Sequence, residues 1–488
     1  MLSQEIKDQY EAVIGLEVHV QLLTESKIFA GDSNKFGSDP NTNISVITLG
    51  HPGTMPKMNK KVITHAIRMG LACHSKIERF QYFDRKNYFY PDLPKGYQTT
   101  QDNRPVCIGG HVPVKTTGGL KKDIRLNRIH MEEDAGKSIH LPEGDARESL
   151  VDYNRAGVPL IEIVTEPELY SSEEAAAFLN EIRKLVRYLK VSDGNMEEGS
   201  MRCDANISVR KKGDPLLGKK VEVKNMNSIR NVSHAINYEI DRQIAKKEKG
   251  EEILSETRLF DVPSGTTSGM RTKEALNDYR YFPCPDLSPM EVTEEWLDSL
   301  KADMPALPAE LVKKFTETYQ LPEYDAYVLT ETRELAEYFM KLGDSAGNFK
   351  IASNWLMGPV KSYLNLHNLE INEFPIKPEK LAEVLKLIAD NVISNTAADR
   401  QLLPVLIQNP DREPLEIAKD LELLQDSDSN SILPIIEEVL VANQNKVKAY
   451  KTGKKGLLGF FVGEVMKNSK GKADPKLTNQ LLREKLEK

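Results

Sequence analysis

The chain has 488 residues, 40% of them hydrophobic and 28% charged, with a formal net charge of −7. That length predicts roughly two to four domains rather than one core, and the lack of any run of about 18 apolar residues excludes a membrane-spanning helix. A net negative charge argues against a protein that simply coats nucleic acid and leaves open only a local basic face. The N-terminus, MLSQEIKDQYEAV, has neither an apolar signal core nor an Arg-rich transit pattern. Cys73, Cys107, Cys203 and Cys284 form no CxxC pair. The expected address is the cytoplasm.

In chain order, the first clear element is IGLEVHVQL (14–22). Strand side chains alternate, so Ile14, Leu16, Val18, Val20 and Leu22 share one face, and Glu17, His19 and Gln21 share the other. FDRKNYFYPDLPKGYQ (83–98) interleaves aromatics and bases around Pro91 and Pro94. It reads either as a core hairpin or as a rigid loop holding Arg85, Lys86 and Lys95 over an anionic substrate. LNRIHMEEDAGKS (126–138) ends like a phosphate loop, but Met131 stands where that motif needs a second glycine. Its RIHME portion sets Ile129 and Met131 against Arg128, His130 and Glu132.

PLIEIV (159–164) is apolar on both sides except for Glu162, and an isolated buried carboxylate costs on the order of several kcal/mol. MRCDANISVR (201–210) opposes Met201, Cys203, Ala205, Ile207 and Val209 to Arg202, Asp204, Asn206, Ser208 and Arg210. KKVEVKN (219–225) opposes Val221 and Val223 to Glu222 and Lys224. Taken singly, each polar face is the wet side of an antiparallel sheet. Taken together, Glu17, His19, Glu162, Asp204 and Glu222 would converge on one surface, an oxygen-rich set with one imidazole that suits Mg²⁺ or Mn²⁺. Zinc hydrolysis would want more His or Cys ligands at tighter spacing.

About the first 290 residues read as strands and turns, and the prolines of PCPDLSP and PALP then give way to helical periodicity. The fold class expected is α+β: an N-terminal antiparallel β body at 1–293, a helical domain at 294–410 and a helical tail at 411–488. Residues 411–444 carry nine acids and two bases, whereas 445–488 carry twelve bases and four acids. That basic end is either solvated surface or a phosphate-contacting face, with Lys467, Lys470, Lys472 and Lys476 as its candidates. Gly459 and Gly463, one helical turn apart, predict a close helix neighbour. No GxSxG elbow, GxGxxG after a strand or glutaminase-type nucleophile occurs.

Several of these segments together resemble a known family. IGLEVHVQL, FDRKNYFYPDLPKGYQ, IHMEEDAGKS, VDYNRAGVPLIEIVTEP, MEEGSMRCDANISVR, VEVKNMNS and DYRYFP are similar, in order, to the B subunits of tRNA-dependent amidotransferases (GatB). SNWLMGPVKSYLN and GFFVGEVMKNSKGKADPKLTNQLL extend the resemblance over nearly the whole chain. Departures are confined to His51 in LGHPGTMP, Thr99 and Thr100 in YQTTQ, and Cys284 after DYRYFP.

The resemblance implies a ligase acting on Glu-tRNA(Gln) or Asp-tRNA(Asn), in a heterotrimer with an amidase subunit (GatA) and a small subunit (GatC). ATP would phosphorylate the side-chain carboxylate of the misacylated residue, and ammonia delivered by the partner would displace the phosphate. It further implies a curved sheet like that of glutamine synthetase and the guanidino kinases. Glu17, His19, Glu133, Glu162, Asp204 and Glu222 would hold Mg²⁺, and Glu17, Arg202, Asp204 and Glu222 would lie at ATP. Lys86 and Lys95 would stand at the reaction or the ammonia path. Alternation along RIHME favours Glu132; the resemblance favours Glu133. A tRNA-binding scaffold without chemistry of its own is the competing expectation.

Overall fold

The computed structural model describes residues 2–140, 149–272, 279–425, 429–469 and 472–487. The chain divides into two compact units, Met1–Ala309 and Glu310–Lys488.

The strands along the main path of the first unit's central sheet are β1 (Tyr10–Gln21), β2 (Asp84–Asn87), β3 (Tyr97–Thr100), β4 (Lys121–Glu133), β5 (Pro159–Thr165), β6 (Met201–Lys211), β7 (Val221–Lys224), β8 (Glu256–Asp261), β9 (Thr266–Thr272) and β10 (Phe282–Pro283), with further short strands pairing at its side. Their order is β9-β8-β7-β6-β1-β5-β4-β3-β2-β10. The expectation of a purely antiparallel sheet needs one correction. The β7–β8 pair is parallel, because the helix Ile229–Glu248 lies between the two in sequence and carries the chain back to the same end. The stretch 83–98 is a hairpin, β2 against β3, but of its aromatics only Phe83 joins the core, while Phe89 and Tyr90 are exposed.

Three helices, α1 (Lys60–Ala72), α2 (Ser172–Tyr188) and α3 (Ile229–Glu248), cover one face of this unit. The reading of strands and turns alone missed them. Their signals are in the sequence: Asn59, Ser171 and Ser228 each cap a helix by accepting a backbone N–H. Leu16, Val18 and Val20 of β1, Ile129 and Met131 of β4, Ile161 and Ile163 of β5, and the apolar rows of β6 and β7 form one core with Ile67, Phe178, Ile182 and Val232 of these helices. Burying that face commits the polar rows, with their carboxylates, to the opposite one.

The first unit extends past the expected boundary at 293. Helix α4 (Glu294–Ala302) buries Leu297 and Leu300 in the sheet's core. Arg79 and Arg68 pair with Glu294 and Asp303 at its two ends, and Lys60 lies 4.8 Å over the Trp296 ring.

The second unit is helical. The expected break at 410 does not separate its parts, because helix Pro414–Asp420 packs on helix Pro378–Ala389 and the Gln425 amide donates to the Val392 carbonyl at 2.8 Å. The tail's own core begins at Ile432 and gathers Ile436, Val439, Tyr450, Phe461, Val465, Leu482 and Leu486. The close helix neighbour expected at Gly459 and Gly463 is absent within the described residues, where a methyl group at either position would meet open space. Lys470, and Asp278 of the DYRYFP segment, lie outside the described residues.

Candidate active site

Residues paired across neighbouring strands share a face, so register alone sets out the polar surface. His130 of β4 faces Glu162 of β5, which faces His19 of β1, which faces Arg202 of β6. One row along, Glu17 faces Asp204, and Asn206 faces Glu222. Side-chain geometry gathers the acids into two clusters. In the first, His19 Nε2 lies 3.4 Å from Glu132 Oε1 and 3.3 Å from Glu162 Oε2. In the second, one carboxylate oxygen each from Glu17, Asp204 and Glu222 lie within 4.8 Å of one another. The five residues expected to converge do share one face, but in two groups, and Glu132 completes the first.

The electrostatics of the two clusters differ. Burial disfavours the charged His19 ring, yet the hydrogen bond to Glu162 and the charges of Glu162, Glu132 and Asp204 lift its pKa to about 9. Burial also works against an ionised Glu162, but His130 and His19 together hold its carboxyl well below the usual carboxylate range. Glu132 moves the other way: burial, with the Glu162 charge nearby, raises it despite His19, His130 and Lys86. The first cluster thus sets two carboxylates close enough that the charge of Glu162 disfavours that of Glu132, with His19 beside both. In the second, Lys224 supplies the cation, bonding to Asp204 and lying 3.1 Å from Glu222 Oε1. Burial opposes the Lys224 charge, and the two carboxylates more than reverse that. Asn206 Nδ2 donates to Glu17 at 2.9 Å.

The three successive acids of HMEED go three separate ways. Glu132 joins His19. Glu133 points through the opposite face, where it accepts from Lys95 and, at 2.8 Å, from the Thr99 amide. Asp134 accepts from Arg202 at 2.8 Å and from Gln21 at 3.3 Å. Glu133 thus belongs to neither cluster, and alternation along the strand, not the resemblance, identified the neighbour of His19. The reason is that β4 stays paired to its end, Glu133 facing Pro159, so the period-two rule holds one residue longer than a strand end would allow.

The two expected lysines are also on opposite sides. Lys86 faces Gln98, two residues before Thr100, and Thr100 faces Glu132, so Lys86 shares the clusters' face. Its Nζ lies 4.8 Å from the Tyr279 ring centroid. Lys95 and Glu133 instead line a cavity of about 340 Å³ together with Lys27, Arg85, Tyr97 and Asp286. Arg202 stands between the clusters, tied to Asp134, whose charge raises its pKa. Sequence reasoning assigned no role to His130 or Lys224. Their signal was position alone, since both sit on the polar side of their strands.

Carboxylate oxygens with a single imidazole fit a hard divalent cation such as Mg²⁺ or Mn²⁺. All four cysteines are buried. Burial raises the Cys73 thiol to about 12 and holds Cys107 and Cys203 well above the ordinary range, so they make poor nucleophiles.

Residues 12–298 match the GatB/GatE catalytic domain and residues 337–486 the GatB domain. The B subunit of an aspartyl/glutamyl-tRNA(Asn/Gln) amidotransferase from Caldanaerobacter subterraneus is 49% identical over 480 residues, covering 98% of this chain and 100% of its own. Proteins of the same name from Thermodesulfovibrio yellowstonii and Gloeothece citriformis are each 48% identical, the first over 97% of this chain and 98% of its own, the second over 99% of both. The matched catalytic domain spans every residue of both carboxylate clusters, and the identity runs nearly end to end: the chain belongs to the GatB family of tRNA-dependent amidotransferase subunits.

Proposed function

We propose that this chain is the subunit in which the side-chain carboxylate of Glu-tRNA(Gln), or Asp-tRNA(Asn), is phosphorylated by ATP and then amidated. A side-chain oxygen attacks the γ-phosphorus, the bond to ADP breaks, and ammonia displaces phosphate from the resulting acyl phosphate. A glutaminase partner (GatA), held with a small subunit (GatC), releases that ammonia from glutamine. The observation carrying this reading is the pair of carboxylate clusters on one face of the sheet, with Lys86 on that face near Glu132.

Two anions meet in the first step, so charge must be neutralised at the site. His19, Glu132 and Glu162 would hold one Mg²⁺, and Glu17, Asp204 and Glu222 would hold another at the ATP phosphates. When bound, the metal neutralises phosphoryl charge. The protein's own part is to orient and to supply cations. Lys86 approaches from the β2 side, and Lys224 and Arg202 stand between carboxylates where phosphoryl oxygens would compete for them. The likeness to the Mg-ATP sheets of glutamine synthetase and the guanidino kinases follows from the same reading. So does a tRNA contact by the basic tail, where Lys467 and Lys476 are exposed.

The direct test uses tRNA carrying glutamate labelled with ¹⁸O in its side-chain carboxylate, incubated with the complete enzyme, ATP and glutamine. Each amide formed should transfer one ¹⁸O to inorganic phosphate. Phosphate free of label would refute the acyl-phosphate step. Glu17→Ala or Glu162→Ala should abolish ATP hydrolysis that depends on misacylated tRNA while leaving tRNA binding intact. ATP turnover that persists in both variants would favour a scaffold role.

A further inference from the structure

We propose that His130 is a positioning residue that fixes the Glu162 carboxylate for cation binding, acting through its Nε2–H. The proposal rests on the reading of His19, Glu132 and Glu162 as a cation site, of which His130 is not a member. His130 is only 4% exposed. Its Nε2 lies 3.2 Å from Glu162 Oε2 and 4.0 Å from Glu132 Oε2. Its Nδ1 is buried and has no hydrogen-bond partner among the described residues.

That asymmetry selects a tautomer. An unpaired buried N–H is rarer and more costly than an unpaired acceptor, so the ring places its proton on Nε2 and leaves the bare lone pair on Nδ1. Nε2–H then donates to Glu162. His19 approaches the same Glu162 oxygen from the other side, at 3.3 Å. As a metal ligand, however, His19 must offer the Nε2 lone pair, not a proton. It cannot at once ligate through Nε2 and donate from it. Among the described residues, His130 is then the side chain left to donate to Glu162. A ligating carboxylate without such a donor rotates freely, and outer-shell partners of this kind contribute roughly 10–100-fold to metal affinity.

The test exploits the geometry of two amides. From the same backbone position, the Gln side-chain nitrogen reaches about where imidazole Nε2 stands, and that of Asn stands near Nδ1. Mn²⁺ binding to the full chain is measured by the electron paramagnetic resonance of free Mn²⁺, with thermal unfolding as a check on folding. His130→Asn should weaken Mn²⁺ binding about 10–100-fold, and His130→Gln should remain close to wild type. In the assembled enzyme, His130→Asn should raise the Mg²⁺ concentration giving half-maximal amidation with little change in kcat. Wild-type affinity in His130→Asn overturns the proposal, as does equal weakening in both variants, which would mark a packing role. A wild-type chain whose Mn²⁺ binding is nil, or unaffected by Glu132→Gln and Glu162→Gln, refutes the cation site itself and the positioning role with it.

Discussion

Replacing Lys27 should stabilise the first unit. Lys27 has no exposed surface, and among the described residues its Nζ hydrogen-bonds the Tyr153 carbonyl alone, at 3.4 Å. Burial lowers its pKa to about 8 from 10.5, although the charges of Asp32, Glu133 and Asp152 pull the other way. The unfolded chain therefore binds more protons than the folded one between those two values, and stability must rise with pH across that window. Below pH 8 the folded protein bears the whole cost of a buried ammonium, about 3 kcal/mol. Lys27→Met removes the charge and keeps most of the volume. We expect the variant to be more stable than wild type by about 1–3 kcal/mol at pH 7, with most of that gap closed by pH 10. Urea unfolding followed by fluorescence measures it, in a Trp355→Phe background, so that only Trp296, packed against the first unit's core, reports. A variant less stable than wild type at pH 7, or a gap of equal size at pH 10, would show that burial of this amine is not the governing cost.

Three further outcomes are expected. Glu132→Gln should weaken Mn²⁺ binding by about tenfold or more, whereas Glu133→Gln should leave it unchanged; the two dissociation constants decide which acid belongs with His19. Lys95→Met leaves Glu133 buried without its cation and should destabilise the first unit by roughly 3–5 kcal/mol. Adding Glu133→Gln should recover much of that loss in the same urea titration. Reversing Lys467 and Lys476 to Glu should lower tRNA affinity and flatten its dependence on salt, since each lost phosphate contact removes about 0.9 from the slope. Turnover at saturating tRNA should survive, and unchanged binding would make this end of the tail ordinary surface.

The polar sheet face was legible because it needed only one rule. Strands buried on one side alternate strictly, so Glu17, His19, Glu162, Asp204 and Glu222 could be assigned to a common face before any partner strand was known. Which of them cluster was not legible. That depends on lateral order, β6-β1-β5-β4, and on the stagger that sets His19 opposite Glu162 and Glu17 opposite Asp204. The sides taken by Lys86 and Lys95 were hidden for another reason: the hairpin loop between them breaks the alternation, so neither side follows from the other. The boundaries failed differently again. Leu297 and Leu300 reveal an amphipathic helix, but no local pattern says which core receives its apolar stripe.

Lys224 also bears on how the protein matures. Three carboxylates at close quarters repel one another, and many such sites remain unfolded until an ion enters. Here an ammonium built into β7 already pairs with Asp204 and Glu222 and offsets part of that repulsion. With that cation in place, this cluster makes no demand on a divalent ion in order to fold. An incoming ion would then exchange for a lysine rather than complete a fold, so its binding strength is free to be set by the needs of turnover and not by those of folding.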